Sequence, residues 1–206
     1  MTAVIESCPD QISAAHRAQY TELGYVAFQN VLSPEEVEAA RVALREVTHS
    51  MMRQLETGQA SLQQAPAGAT KNYAGPRVVT ETGCAIHFES GVDPRALTPE
   101  EAELNYRKLH DYDQQHPVFQ NLVEHTKIRG FLGDLIGQEM VLKATMALSK
   151  PPFIGSEKPW HQDNAYFNWL PLDLVGTCWL ALDDATIDNG CMHLLVGQHQ
   201  RGPLRH

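Results

Sequence analysis

At 206 residues, 43% hydrophobic and 20% charged, the chain can bury one sizeable core and is read as a single domain over 1–206. A net charge of −9 and a pI near 5.5 argue against nucleic acid or an anionic membrane as partner, since both are held through clustered Lys and Arg, and point to a small molecule. Cys8, Cys84, Cys178 and Cys191 form no C-x-x-C pair and no zinc spacing, so they are expected to be reduced. The sequence begins with no charged-then-apolar leader and has no apolar run approaching the ~18 residues of a membrane span, which predicts a cytoplasmic protein.

In chain order, residues 1–10 read as a loose terminus and 11–22 as a short helix leading into a strand over Gly24–Val31. Ser33-Pro-Glu-Glu36 announces a longer helix: Ser33 can cap, Pro34 suits the first helical position, and Glu36 can reach back to the Ser33 amide. Val37, Ala40, Leu44, Val47, Met51 and Leu55 follow at steps of three and four and predict one buried stripe, with Met51 and Met52 as packing residues. Residues 57–70 are rich in small residues and lack periodicity, so a loop is expected. Arg77–Phe88 is β-branched enough for one or two strands, and His87 within it is read as a core or rim residue.

Thr98-Pro-Glu-Glu101 repeats the capping signature and starts a helix toward Leu104, while Pro117–Leu122 and the Leu132, Leu135, Ile136 cluster suggest two more. Arg107–Tyr112 lies between them, and Lys108 read alone is a solvated surface residue. Met140–Leu148 reads as a strand ended by Lys150-Pro-Pro-Phe153. Helices come first and strands later, and no Gly-rich phosphate loop joins a strand to a helix. That order favours α+β, with helices packed on an antiparallel sheet, over a doubly wound nucleotide-binding fold.

The stretch from Trp160 to Trp169 carries the chemistry. If it is extended, His161 and Asp163 share a face and Gln162 points the other way, so an imidazole and a carboxylate stand side by side. These are two of the three groups of the 2-His-1-carboxylate set that holds non-haem Fe(II). With ten His in the chain, a His-x-Asp also arises by chance, and context has to decide. Gly176–Asp184 reads as a strand, Asp188-Asn-Gly190 as a turn, and Cys191–Val196 as a second strand ending in Gly197-Gln-His199.

In that order, His-Gln-Asp, then Trp-Leu-Ala-Leu-Asp-Asp-Ala-Thr, then Asn-Gly-Cys-Met-His-Leu-Leu-x-Gly-x-His, the chain resembles the phytanoyl-CoA dioxygenase family of Fe(II)/2-oxoglutarate oxygenases, with weaker matches back to about Gln19. The resemblance implies a mainly β core, a double-stranded β-helix or cupin-like jelly roll with N-terminal helices packed on it. It implies His161 and Asp163 as catalytic metal ligands, Lys108 as the lysine holding the 2-oxoglutarate carboxylate, and Met146 and Trp179 as the lining of that co-substrate's pocket. Outside the family match, Met146 and Trp179 are what an ordinary core would use. The implied reaction uses O2 and converts 2-oxoglutarate to succinate and CO2 while a small organic substrate is hydroxylated. Asp163 favours hydroxylation, because halogenating relatives replace this carboxylate with a small residue.

The resemblance also places a second ligand His and a carboxylate-binding Arg on late strands beyond the Gly-x-His loop, so the domain is expected to continue past His206 by several strands. Within the chain, His193, His199 and His206 are the candidates for a third ligand. The alternative class is a non-catalytic metal-binding, cofactor-binding or interaction domain lacking that second His.

Overall fold

A computed structural model describes residues 4–65, 75–137 and 139–204. The chain forms two compact units: Met1–Val37, Leu122–Val141 and Pro159–His206 make the first, and Glu38–Asn121 with Leu142–Lys158 make the second.

In the second unit a helix lies on one face of a five-stranded sheet. Helix α2 (Pro34–Glu56) starts on the capping box expected from its sequence: the Glu36 N–H donates to Ser33 Oγ at 3.2 Å and the Ser33 N–H donates to Glu36 Oε2 at 2.8 Å. Its buried stripe runs through Ala40, Ala43, Val47, Thr48, Met51 and Met52, whereas Leu44 and Leu55 are half-buried. The sheet has the order β3 (Ala60–Gln63), β4 (Arg77–Thr80), β5 (Ala85–Phe88), β6 (Tyr106–His110) and β7 (Met146–Leu148), every neighbouring pair antiparallel. The predicted loop over 57–70 therefore contains β3, and its residues 66–70 lie outside the described residues.

Register decides which residues share a face. Val78, Ile86 and Leu109 pair in one cross-strand row, and all three are fully buried. With Phe88, Cys84, Met51 and Met52 they form the core, and Met51 Sδ accepts a weak hydrogen bond from the Cys84 thiol at 3.5 Å. Each aliphatic side chain buried this way contributes about 1.5–3 kcal/mol. The opposite face carries a second row, Arg77, His87, Lys108 and Leu148, and a third, Val79, Ala85, His110 and Met146. A bulge at His87/Phe88 leaves Arg107 without an opposite residue and brings Tyr106 back to the buried side opposite Phe88.

In the first unit, β1 (Glu6–Ser7) pairs in parallel with β2 (Phe28–Gln29), a shorter strand than the one predicted over Gly24–Val31. Phe28 packs on His16 of α1 (Ala14–Leu23) and on Phe131 of α5 (Thr126–Ile136), with ring centroids at 5.2 and 5.4 Å. Helix α1 ends at Gly24, whose φ of +88° suits a residue without Cβ. Two further helices, α3 (Pro99–Glu103) in the second unit and α4 (Pro117–Val123), start at the predicted prolines.

Three sequence expectations are corrected in the later chain. His161–Trp169 is not extended: Asp163 opens a short helix, α6 (Asp163–Phe167). Gly176–Asp184 and Cys191–Val196 form no strand, and among the described residues no strand follows Leu148. Their alternating pattern would satisfy backbone groups only against a partner strand, and here Leu194, Leu195 and Val196 remain exposed. The Asp188-Asn-Gly190 turn does form, with Gly190 at φ +81°. The Met140–Leu148 strand is confined to Met146–Leu148.

Candidate metal centre

His161 Nε2 and Asp163 Oδ1 lie 3.2 Å apart in the first unit. The short helix achieves what an extended strand would have done, because its first residue turns the Asp163 carboxylate back toward the imidazole. His161 Nδ1 lies 2.7 Å from the Pro159 carbonyl oxygen, and since that oxygen can only accept, Nδ1 carries the proton. Nε2 is thus the nitrogen turned to the carboxylate oxygen, and at this distance the two need a proton or a cation between them. Two ligands about 2.1 Å from one ion and at right angles to each other would sit about 3 Å apart, so the donor pair fits a metal ion. Fixing one ring nitrogen on a backbone carbonyl is the usual way a ligating His is oriented.

Gln162, between the two donors, is turned into the surrounding structure. Its amide nitrogen donates to the Gly202 carbonyl at 3.1 Å, and its Oε1 accepts the Leu204 N–H at 2.7 Å. The 197–204 segment is itself fastened to α1: the Gly197 N–H donates to the Leu23 carbonyl at 3.0 Å and His199 Nε2 donates to the Thr21 carbonyl at 3.0 Å. Asn164 closes the other side, donating to the Trp169 carbonyl and accepting the Trp169 N–H, both at 2.9 Å. Sequence alternation showed only that Gln162 points away from the ligands; the polar run Gln-Asp-Asn was the signal for a hydrogen-bonded frame.

No described His, Cys, Asp or Glu joins the pair as a third donor. His199 has committed Nε2 to Thr21, and its ring lies against Gly24, where an added Cβ would come within 2.5 Å of Nδ1. His193 packs edge-on to Trp160 at 6.4 Å. His206 lies outside the described residues.

The expected co-substrate residues are distributed over both units. Lys108 and Met146 share the open face of the second unit's sheet on neighbouring strands, Lys108 opposite Leu148 and Met146 opposite His110. Trp179 belongs to the first unit, outside any strand and 46% exposed.

The second unit also fixes the chain that leads into the metal motif. Glu89, only 6% exposed, accepts the Ser156 N–H at 3.0 Å and the Ser156 hydroxyl at 2.9 Å. Lys150 Nζ donates to the Ser156 carbonyl at 3.2 Å. An acidic residue directly after the apolar strand β5 was the sequence signal for this anchor.

The phytanoyl-CoA dioxygenase (PhyH) family model matches residues 20–206, and the chain belongs to this family. It is 30% identical to the phytanoyl-CoA dioxygenase domain-containing protein 1 of Danio rerio, over 91% of this chain and 65% of the relative. Identity to the phytanoyl-CoA dioxygenase of Arabidopsis thaliana is 26%, over 96% of this chain and 66% of the relative. To the peroxisomal phytanoyl-CoA dioxygenase of Rattus norvegicus it is 23%, over 96% and 53%. The chain thus spans about two thirds of the length of the first of these relatives. No solved structure matches it. No helix among the described residues is long and apolar enough to cross a membrane.

Proposed function

We propose that the protein is an Fe(II)- and 2-oxoglutarate-dependent dioxygenase that hydroxylates a small organic substrate in the cytoplasm. The observation that carries this reading is the His161–Asp163 pair, two metal donors 3.2 Å apart with the imidazole tautomer set by Pro159. Membership of the family supports it. When bound, Fe(II) and 2-oxoglutarate would supply, with O2 as the oxidant, the hydroxylation of a C–H bond coupled to loss of CO2 and formation of succinate, one oxygen atom going to succinate and one to the hydroxylated product.

In this reading His161 contributes a neutral imidazole and Asp163 a negative charge that offsets part of the metal's. Lys108 holds the far carboxylate of 2-oxoglutarate as a mobile point charge, and Met146 and Trp179 offer apolar surface to its chain.

The experiment is anaerobic Fe(II) binding and iron-dependent succinate release by the full-length protein. His161→Ala and Asp163→Ala should each abolish turnover and weaken Fe(II) binding by roughly 100-fold or more. Full iron affinity and succinate release in His161→Ala would refute the assignment. Iron binding by the unaltered protein without any succinate release would favour the non-catalytic class.

A further inference from the structure

The open face of the second unit's sheet holds a group the reading above does not use. His87 stands in the cross-strand row between Arg77 and Lys108, so each of these neighbours has its Cβ about 5 Å away. The His110 ring lies 6.5 Å from the His87 ring, centroid to centroid, and Arg107 is the bulged residue beside Lys108. Arg77 and His110 have partners of their own: Arg77 Nε donates to Gln63 Oε1 at 2.9 Å and His110 Nδ1 lies 2.8 Å from Asp111 Oδ2. Among the described residues neither ring nitrogen of His87 has a hydrogen-bond partner. At the end of the row Leu148, opposite Lys108, is 69% exposed, so the row opens to a ligand on that side.

A half-buried imidazole ringed by Lys108, Arg77, His110 and Arg107 is held neutral, its pKa pushed down to about 3 by burial and by those charges. It keeps one N–H donor and sits in a positive field, and the ligand that satisfies both is a carboxylate. We infer that His87 donates its ring N–H to the far carboxylate of the dicarboxylic co-substrate, as a second anchor beside Lys108. Two oxygens then meet two different donors, a charged ammonium on β6 and a neutral imidazole on β5, with Met146 one row away against the carbon chain. This rests on Lys108 taking 2-oxoglutarate, and it adds selectivity for a dicarboxylate over a monocarboxylic keto acid.

The test is calorimetric binding to the full-length protein loaded with Mn(II), comparing 2-oxoglutarate with 2-oxopentanoate, which has the same keto acid end and no far carboxylate. His87→Leu should weaken 2-oxoglutarate roughly 10-fold or more and leave 2-oxopentanoate within about twofold, because a hydrogen bond to a charged group is lost only for the dicarboxylate. His87→Gln, which keeps an N–H donor, should recover most of the loss. In the unaltered protein, 2-oxoglutarate but not 2-oxopentanoate should shift the His87 ring resonances into a hydrogen-bonded position, a readout independent of whether His87→Leu folds. Unchanged 2-oxoglutarate binding in His87→Leu, an equal loss of both acids, or His87 resonances indifferent to 2-oxoglutarate would each overturn the inference. Lys108→Ala separates the two levels. If it too leaves 2-oxoglutarate binding unchanged, the co-substrate reading itself fails; if it weakens binding while His87→Leu does not, only His87 is wrong.

Discussion

The side chain of Gln162 accepts the backbone N–H of Leu204 at 2.7 Å, so the residue between the two candidate metal donors is held by the segment fastened to α1. Truncation there would free the backbone that aims His161 and Asp163 without removing either donor. Gln162→Ala is expected to weaken Fe(II) binding by about 10-fold, the lower range for outer partners of a metal site. Gln162→Glu keeps the acceptor for Leu204 but loses the donor to Gly202 and should fall between the two. Equal iron affinity in all three proteins would show that the frame is irrelevant to the metal.

Lys108→Ala should raise the 2-oxoglutarate concentration needed for half-maximal succinate release by roughly 10-fold or more, since a charge-assisted hydrogen bond is removed. The apparent affinity for Fe(II) in the absence of 2-oxoglutarate should not change. A parallel loss of iron affinity would indicate a general structural defect.

Glu89 is nearly buried and its carboxylate is satisfied by Ser156. Removing one side leaves the other without a partner, so Glu89→Ala and Ser156→Ala should each destabilise the fold, by roughly 1.5–3 and 1–2 kcal/mol. Denaturant midpoints would report the loss, and amide exchange at Ser156 should accelerate in Glu89→Ala. Slow exchange at Ser156 in that variant would mean that another group holds the loop.

His87 gives the fold a pH dependence of definite sign. In the unfolded chain it takes up a proton near its ordinary value of 6.5, whereas in the fold burial and its cationic neighbours delay protonation to about 3. Between those values the unfolded state binds more protons, so stability rises with pH through the window and is lost as pH falls from 6.5 toward 3. His87→Gln should flatten this part of the profile. Urea midpoints of both proteins at pH 7, 5.5 and 4.5 provide the check, and a constant difference between them would contradict the assignment.

Helix starts were the most legible part of the fold. Ser33 and Thr98 declare their capping boxes by spacing, and both form, because the hydrogen bonds involved are local. The rows of the sheet were not legible, since the register that sets His87 beside Lys108 is a long-range pairing displaced by a bulge. Strands over Gly176–Asp184 and Cys191–Val196 were misread for the same reason: alternation states a preference for a half-buried ladder and says nothing about whether a partner is present. That His161 and Asp163 lie side by side followed from residue type and spacing despite the wrong local conformation, for both an extended pair and a helix start can bring two such side chains together.

Strand β7 is short, and its chain continues through Ser149 and Lys150 into Pro151 and Pro152. Neither proline can donate a backbone hydrogen bond, so an incoming strand from another molecule could not lengthen its pairing along this border of the sheet. Pro152, the exposed one of the two, thereby closes off further backbone pairing beyond the strand that carries Met146. Replacing the exposed Pro152 with a residue that possesses an N–H would leave the folded chain's own contacts nearly untouched and yet reopen this border to pairing, whereas the buried Pro151 is also part of the packing.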